Sequence, residues 1–223
     1  MNPERWRYTN DYLAEVFGRE DAVLAAIAAR SREAGLAPIA VTRDIGCLLT
    51  MLARLAGARA AIEIGTLGGY SAAHIARGLG DGGRLVTIDI DPHAVSVARQ
   101  NLAAAGLADR VRCELGAAAE VLPRIAAEFG PGSVDLIFLD ADKTAYGSYW
   151  THLRPLLAEG GLLVADNVLG TRNWWIDELE HPSRAAVDVF NRSVASDPDF
   201  EVTAVLARQG LLLARRRRAG EAV

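Results

Sequence analysis

Lysine is almost missing from this chain. Of its 24 basic residues, Lys143 is the only one that is not arginine. Cysteine is nearly as scarce, with Cys47 and Cys113 alone. Both sit among apolar neighbours, which favours buried free thiols over a disulfide and a reducing, cytoplasmic compartment. No apolar run is long enough to span a bilayer, so no membrane partner is expected. The first residues, MNPERWRYTNDY, lack the apolar core of a secretory signal. An excess of positive charge is lacking too. The formal balance is −4, so the field of the whole molecule offers nucleic acid or an anionic membrane no attraction. The local exception, Arg215 to Arg218, reads as a solvated tail. Apart from that run there is no linker, repeat or low-complexity stretch.

What is present is an ordinary globular composition, 51% apolar and 23% charged over 223 residues. That length suits one domain spanning 1–223 with a sizeable core. Residues 11–34 read as one amphipathic helix, with Leu13, Val16, Phe17, Val23, Leu24 and Ile27 at helical spacing. Residues 43–56 read as another, behind the cap candidate Thr42, and residues 1–40 as a helical extension. The pattern then changes to five short apolar runs: AAIEIG, RLVTIDID, RVRCELG, VDLIFLDAD and GLLVADN. Helical stretches near 71–79, 92–105, 117–128 and 145–157 separate them. Strands that are apolar throughout and alternate with helices predict an α/β fold, a parallel sheet covered on both faces and doubly wound by right-handed crossovers. A loop over 167–182, a helix near 182–196 and a terminal hairpin follow. The hairpin joins FEVTAVLA to GLLLARR through RQG.

Ligands of such sheets bind beyond the carboxyl ends of the strands, near the point where strand order reverses. Those ends carry Glu63, Asp89, Gly116, Asp140 and the pair Asp166–Asn167. The first is followed by the glycine-rich turn EIGTLGGYS, and Asp89 lies about 20 residues on, where an acid bonds ribose hydroxyls. A tight turn with a capped strand end is the bland reading, and a nucleoside-type cofactor is the favoured one. The dinucleotide fingerprint G-x-G-x-x-G is absent, because Gly65 is followed by Thr66, Leu67, Gly68 and Gly69. A nicotinamide-dependent oxidoreductase, an alternative on this fold class, is disfavoured accordingly. An amino-acid tail fits the same turn, with Ser71 at the helix N-terminus receiving a carboxylate.

Asp140 and Asp166–Asn167 end successive predicted strands, and side chains at neighbouring strand ends can converge. Two carboxylates and an amide are hard oxygen donors that suit Mg²⁺, Mn²⁺ or Ca²⁺ and not zinc. Helix capping is the bland alternative for each acid singly. Lys143 falls three residues past Asp140. In a chain that otherwise uses arginine, a lysine at this place suggests an amine able to lose its proton, a loss that a nearby dication would favour. Trp174 and Trp175 lie in the loop after Asn167, where stacking on a planar substrate and packing under the loop are equally open. The four histidines have no metal-ligand spacing, and surface or helix-face roles are expected of them.

At these residues the chain resembles the cation-dependent class I S-adenosylmethionine O-methyltransferases, the group that includes catechol and caffeoyl-CoA O-methyltransferases. The matching blocks are AIEIGTLGGYSA, LVTIDIDP, ELGAAAEVLP, VDLIFLDADKTAYGSYW and LLAEGGLLVADNVL, between about residues 40 and 170. FLDADK paired with DNVL is the specific part. The resemblance implies a Rossmann-like sheet of seven strands with an antiparallel terminal hairpin. It implies S-adenosylmethionine held by Val41, Glu63, Gly65, Thr66, Ser71, Asp89, Ala118, Asp140 and Asp142. It further implies a divalent cation on Asp140, Asp166 and Asn167, Lys143 as general base, a small vicinal aromatic diol as substrate, and a homodimer. Two departures fall on the substrate side: Gln209 stands before Gly210 in place of an acid, and the loop continues GTRNWWIDELEH. A nucleic-acid methyltransferase is disfavoured by the acidic balance and by DNVL in place of a base-binding D/N-P-P-Y string. A non-catalytic relative would be expected to have lost a ligand or the lysine.

Overall fold

Strands form here where apolar residues run without interruption, and helices where they recur every three or four positions. In a computed structural model the described residues are 3–171, 173–174 and 180–221, with backbone alone at 3, 171, 173, 174 and 182. The chain begins α1 (Pro3–Phe17), α2 (Ala22–Glu33), α3 (Arg43–Leu55), β1 (Ala60–Ile64), α4 (Tyr70–Gly78), β2 (Arg84–Asp89), α5 (Pro92–Ala104) and β3 (Val111–Leu115). It continues with α6 (Ala118–Phe129), β4 (Val134–Leu139), a 3-10 turn (Lys143–Ala145), α7 (Tyr146–Leu153) and a second 3-10 turn (Arg154–Leu156). Then come β5 (Leu157–Asp166), β6 (Gly170–Thr171), β7 (Asn173–Trp174), α8 (Pro182–Ala195), β8 (Phe200–Val205) and β9 (Leu211–Arg216). Seven strands form one mixed sheet in the order β3-β2-β1-β4-β5-β9-β8, and β6 pairs with β7 apart from it. The expected sheet with an antiparallel terminal hairpin is therefore present. Its order reverses between β1 and β4.

The described elements gather into two compact units, Met1–Arg59 with Thr66–Gly116, and Ala60–Gly65 with Ala117–Val223. In the first, β2 and β3 run parallel, from Leu85 opposite Val111 to Asp89 opposite Leu115. Helix α3 lies close against α4, where a side chain on Gly78 would strike Ala53 and the Thr50 carbonyl. Ile45, Leu49, Ala53, Ala72 and Ile75 are fully buried on these two helices. One helix expected over 11–34 is two. Asp21 caps α2, its side chain accepting the Leu24 N–H at 3.0 Å, and Gly18 packs where any Cβ would meet the Ala14 carbonyl and Arg43. The hydrophobic spacing runs through the break, and the cap sets it.

In the second unit, β1 and β4 pair in parallel from Ala61–Leu136 to Ile64–Leu139. β4 pairs in parallel with β5, with an irregularity between Val134 and Leu136. β9 pairs antiparallel with both β5 and β8, placing Leu211 opposite Asp166. Phe138, Tyr146 and Phe190 are fully buried, and the last two rings meet edge to face at 5.3 Å. The helix expected over 145–157 is shorter, because Pro155 draws the chain into a 3-10 turn before β5. Both cysteines are free thiols, Cys113 buried and Cys47 half-buried. No described helix is long and apolar enough to cross a membrane.

Candidate active site

The turn after β1 is shaped by glycine. Gly65 has φ 102°, and a Cβ there would run into the Asp140 carbonyl oxygen. The Asp140 N–H in turn donates to the Ile64 carbonyl at 2.9 Å. The ends of β1 and β4 thus touch at the point where strand order reverses, the ligand-binding position of such sheets. Glu63 is fully buried on β1.

In the other unit, Thr66 to Gly69 form a turn closed by the Gly69 N–H on the Thr66 carbonyl at 2.8 Å. Leu67 and Gly69 have φ 44° and 81°, and α4 starts at once, with Ser71 buried in its first turn. Asp89 braces the turn. Its Oδ2 accepts the N–H groups of Thr66 at 3.0 Å and Leu67 at 2.8 Å, and its Oδ1 accepts the Asp91 N–H at 3.0 Å. The Thr66 and Thr87 hydroxyls share a hydrogen bond of 2.6 Å. Sequence reasoning missed the support behind it. Asn101 Nδ2 donates to the Gly68 carbonyl at 2.9 Å and to Ser31 Oγ at 3.2 Å, while Arg30 Nε donates to Asn101 Oδ1 at 2.7 Å. Val41 is buried just before α3. A glycine turn beside a helix N-terminus and an acid fits the amino-acid and ribose ends of a nucleoside donor.

In the second unit the tips of β4 and β5 carry the charged groups. Lys143 is only 7% exposed. Its Nζ lies 2.6 Å from Asp140 Oδ1 and donates to Tyr146 Oη at 2.8 Å. Tyr146 Oη lies 2.9 Å from the Leu139 carbonyl and 3.0 Å from that of Asp166, so its proton is spent on backbone oxygen. Burial raises the phenol well above its ordinary value and keeps it protonated. Asp142 caps the 3-10 turn that bears the lysine, accepting from Thr144 N at 2.9 Å and Oγ1 at 2.8 Å. Ala118 is buried at the start of α6.

Asp166 is fully buried. Its Oδ1 accepts the Asn167 N–H at 2.8 Å, and Arg208 Nη1 lies 2.6 Å from Oδ2. Burial first, and the charge of Asp140 second, push this carboxyl up to about 6 against the pull of Arg208 and Lys143. Asn167 has φ 58°, and its Nδ2 donates to Gln209 Oε1 at 3.1 Å. No group of three or more His, Cys, Asp or Glu that could hold a metal gathers among the described residues. A cation here would therefore rest on two carboxylates and the Asn167 amide, a hard oxygen set that fits a dication such as Mg²⁺. Tyr146 and Arg208 were not singled out from sequence. The tyrosine had a signal, one helical turn after Lys143, whereas Arg208 lies 42 residues from Asp166.

Trp175 lies outside the described residues, and of Trp174 only the backbone in β7 is described. Of the histidines, His181 caps α8. His74 takes the helix-face alternative, on a buried face of α4. Its Nδ1 lies 3.1 Å from Thr50 Oγ1. Its Nε2 has no hydrogen-bond partner among the described residues.

The strand order and the glycine turn define a class, the Rossmann-like methyltransferases. An O-methyltransferase from Bacillus cereus in complex with SAH superposes with a TM-score of 0.87 at 31% identity, covering 96% of this chain and 99% of that one. An O-methyltransferase from Streptomyces achromogenes involved in tomaymycin synthesis, in complex with SAM, gives 0.84 at 32% identity over 98% and 100% of the two chains. A catechol O-methyltransferase from Niastella koreensis is 34% identical over 203 residues, 91% of each protein. Residues 15–217 match the family model described as O-methyltransferase. The chain belongs to this family of class I S-adenosylmethionine-dependent O-methyltransferases, and the nicotinamide alternative falls away.

Proposed function

We propose that this O-methyltransferase methylates one hydroxyl of a vicinal aromatic diol, and that a divalent cation on Asp140, Asp166 and Asn167 takes part. One observation carries the reading: a buried amine, the chain's only lysine, stands between a candidate cation ligand and the fixed hydroxyl of Tyr146. The catechol O-methyltransferase name of a relative across nine-tenths of the chain supports the substrate class.

The donor supplies a methyl group on a positive sulfur. A bound dication supplies Lewis acidity, which matters because a free phenol has a pKa of ~10 and is little ionised at neutral pH. Thr66, Ser71 and Asp89 take the ribose and amino-acid ends of the donor, with Val41, Glu63, Gly65, Ala118, Asp140 and Asp142 as further contacts. Lys143, acting unprotonated, accepts the proton of the attacking hydroxyl. Tyr146 and Asp140 hold its Nζ in place. The reading adds Trp174 and Trp175 as candidates for stacking on the ring. Residues 1–223 act as one methyltransferase domain, a reading supported by a family model that runs through both compact units. The homodimer finds support in α1, which leaves Tyr8, Tyr12, Val16 and Phe17 exposed.

The test is methyl transfer to a panel of catechols and matched monophenols, with and without added Mg²⁺. Activity on the diols alone, lost in excess chelator and restored by Mg²⁺, is the expected result. Equal activity on monophenols, or full activity in chelator, overturns the reading.

A further inference from the structure

Asp166 already has a cation, and it is Arg208. The guanidinium Nη1 sits 2.6 Å from Oδ2 of a carboxylate that is fully buried. The other oxygen accepts the Asn167 N–H. Arg208 reaches this place from the turn between β8 and β9, where it holds φ 49°, a conformation that favours glycine. The turn has little freedom. Gly210 N donates to the Ala207 carbonyl at 2.9 Å, Val168 N to the Gly210 carbonyl at 3.0 Å, and Leu169 N to the Gln209 carbonyl at 2.8 Å. These bonds aim the side chain at Asp166. They do not bury it fully, for it remains 18% exposed and has a way out.

A hard dication bonds carboxylate oxygen at about 2.0–2.6 Å. With a guanidinium nitrogen at 2.6 Å from Oδ2, a dication on that oxygen would have to share it with a second positive group close by. Charge balance points the same way. Asp140 and Asp166 are matched one for one by Lys143 and Arg208, so the pair of acids is neutralised before a dication arrives. We propose that Arg208 is an internal competitor for the cation, holding Asp166 in the metal-free protein and swinging off its oxygen when the cation binds. The inference rests on the reading that Asp140, Asp166 and Asn167 hold a dication. It adds that this chain binds the ion less tightly than its donor set alone would allow, because the competent arrangement is only a fraction of the population.

Arg208→Gly suits the left-handed backbone and removes the charge, and Arg208→Gln removes the charge while keeping a hydrogen-bonding chain. Binding of Mn²⁺ alone, without donor or substrate, would be followed by the loss of the free aquo-ion signal in electron paramagnetic resonance and by titration calorimetry. Thermal melting would establish that each variant is folded. Both variants are expected to bind Mn²⁺ about tenfold or more tightly than the native chain. Equal affinity in all three overturns the competition and leaves the cation reading standing. Weaker binding in a folded variant overturns it by making Arg208 a support of the site. No binding by any of the three overturns both the competition and the reading beneath it.

Discussion

The turn after β1 and the tips of β4 and β5 both present polar groups at a strand end, and they are made of different materials. The turn is built from main chain: glycines in left-handed conformations, amides of Thr66 and Leu67 gathered on Asp89, and a carbonyl held by Asn101. The tips are built from side-chain charge, with Lys143 on Asp140 and Arg208 on Asp166. A site made of backbone is disturbed by added atoms or a lost brace. A site made of charge is disturbed when one partner changes, since a buried ion left alone costs several kcal/mol.

The largest expected effect separates chemistry from binding. Lys143→Arg keeps a cation beside Asp140 but cannot act unprotonated, so turnover should fall by ~10²–10⁴-fold while donor affinity hardly moves. Single-turnover rates set against donor titration check this, and unchanged turnover would remove the lysine from the chemistry.

Acid should act on the two regions with opposite sign. Burial lowers the folded value of His74 from 6.5 to about 4. The unfolded chain therefore holds the extra proton between those values, and stability that is complete above pH 6.5 is lost as the pH falls toward 4, by up to about 3 kcal/mol. Asp166 is raised from 3.8 to about 6, so in metal-free protein its contribution is complete below pH 3.8 and is lost as the pH rises through 6. Hydrogen exchange between pH 4.5 and 7 should show α3 and α4 losing protection on acidification while β5 does not. A uniform loss would break the contrast, and His74→Leu should abolish the α4 response.

The smallest effect concerns the brace. Asp89→Ala leaves the Thr66 and Leu67 amides without their acceptor, which should weaken donor binding by about 1–3 kcal/mol. Turnover at saturating donor should stay close to native. A matching fall in turnover would mean that the turn does more than hold.

Strand and helix alternation was legible because a strand buried on both faces reads as a continuous apolar run, as in LIFL of β4. The terminal hairpin was legible from RQG between two such runs. The break at Gly18–Asp21 was not, since the apolar spacing crosses it and only the Asp21 cap marks it. Local clusters could be read: Asp140, Asp142 and Lys143 share one strand end, although Tyr146, a helical turn away, was not singled out. Arg208 could not, because its partnership with Asp166 exists only through the β5–β9 register. Long-range pairing sets that register, and local pattern does not.

That register also has a consequence for synthesis. The ribosome makes β5 well before β9, and Arg208 follows Asp166 by 42 residues. Until β9 emerges, the nascent chain carries β5 as an open strand edge, which readily recruits other chains. Slowed translation between residues 167 and 210 should thus favour aggregation or chaperone capture over most other pauses.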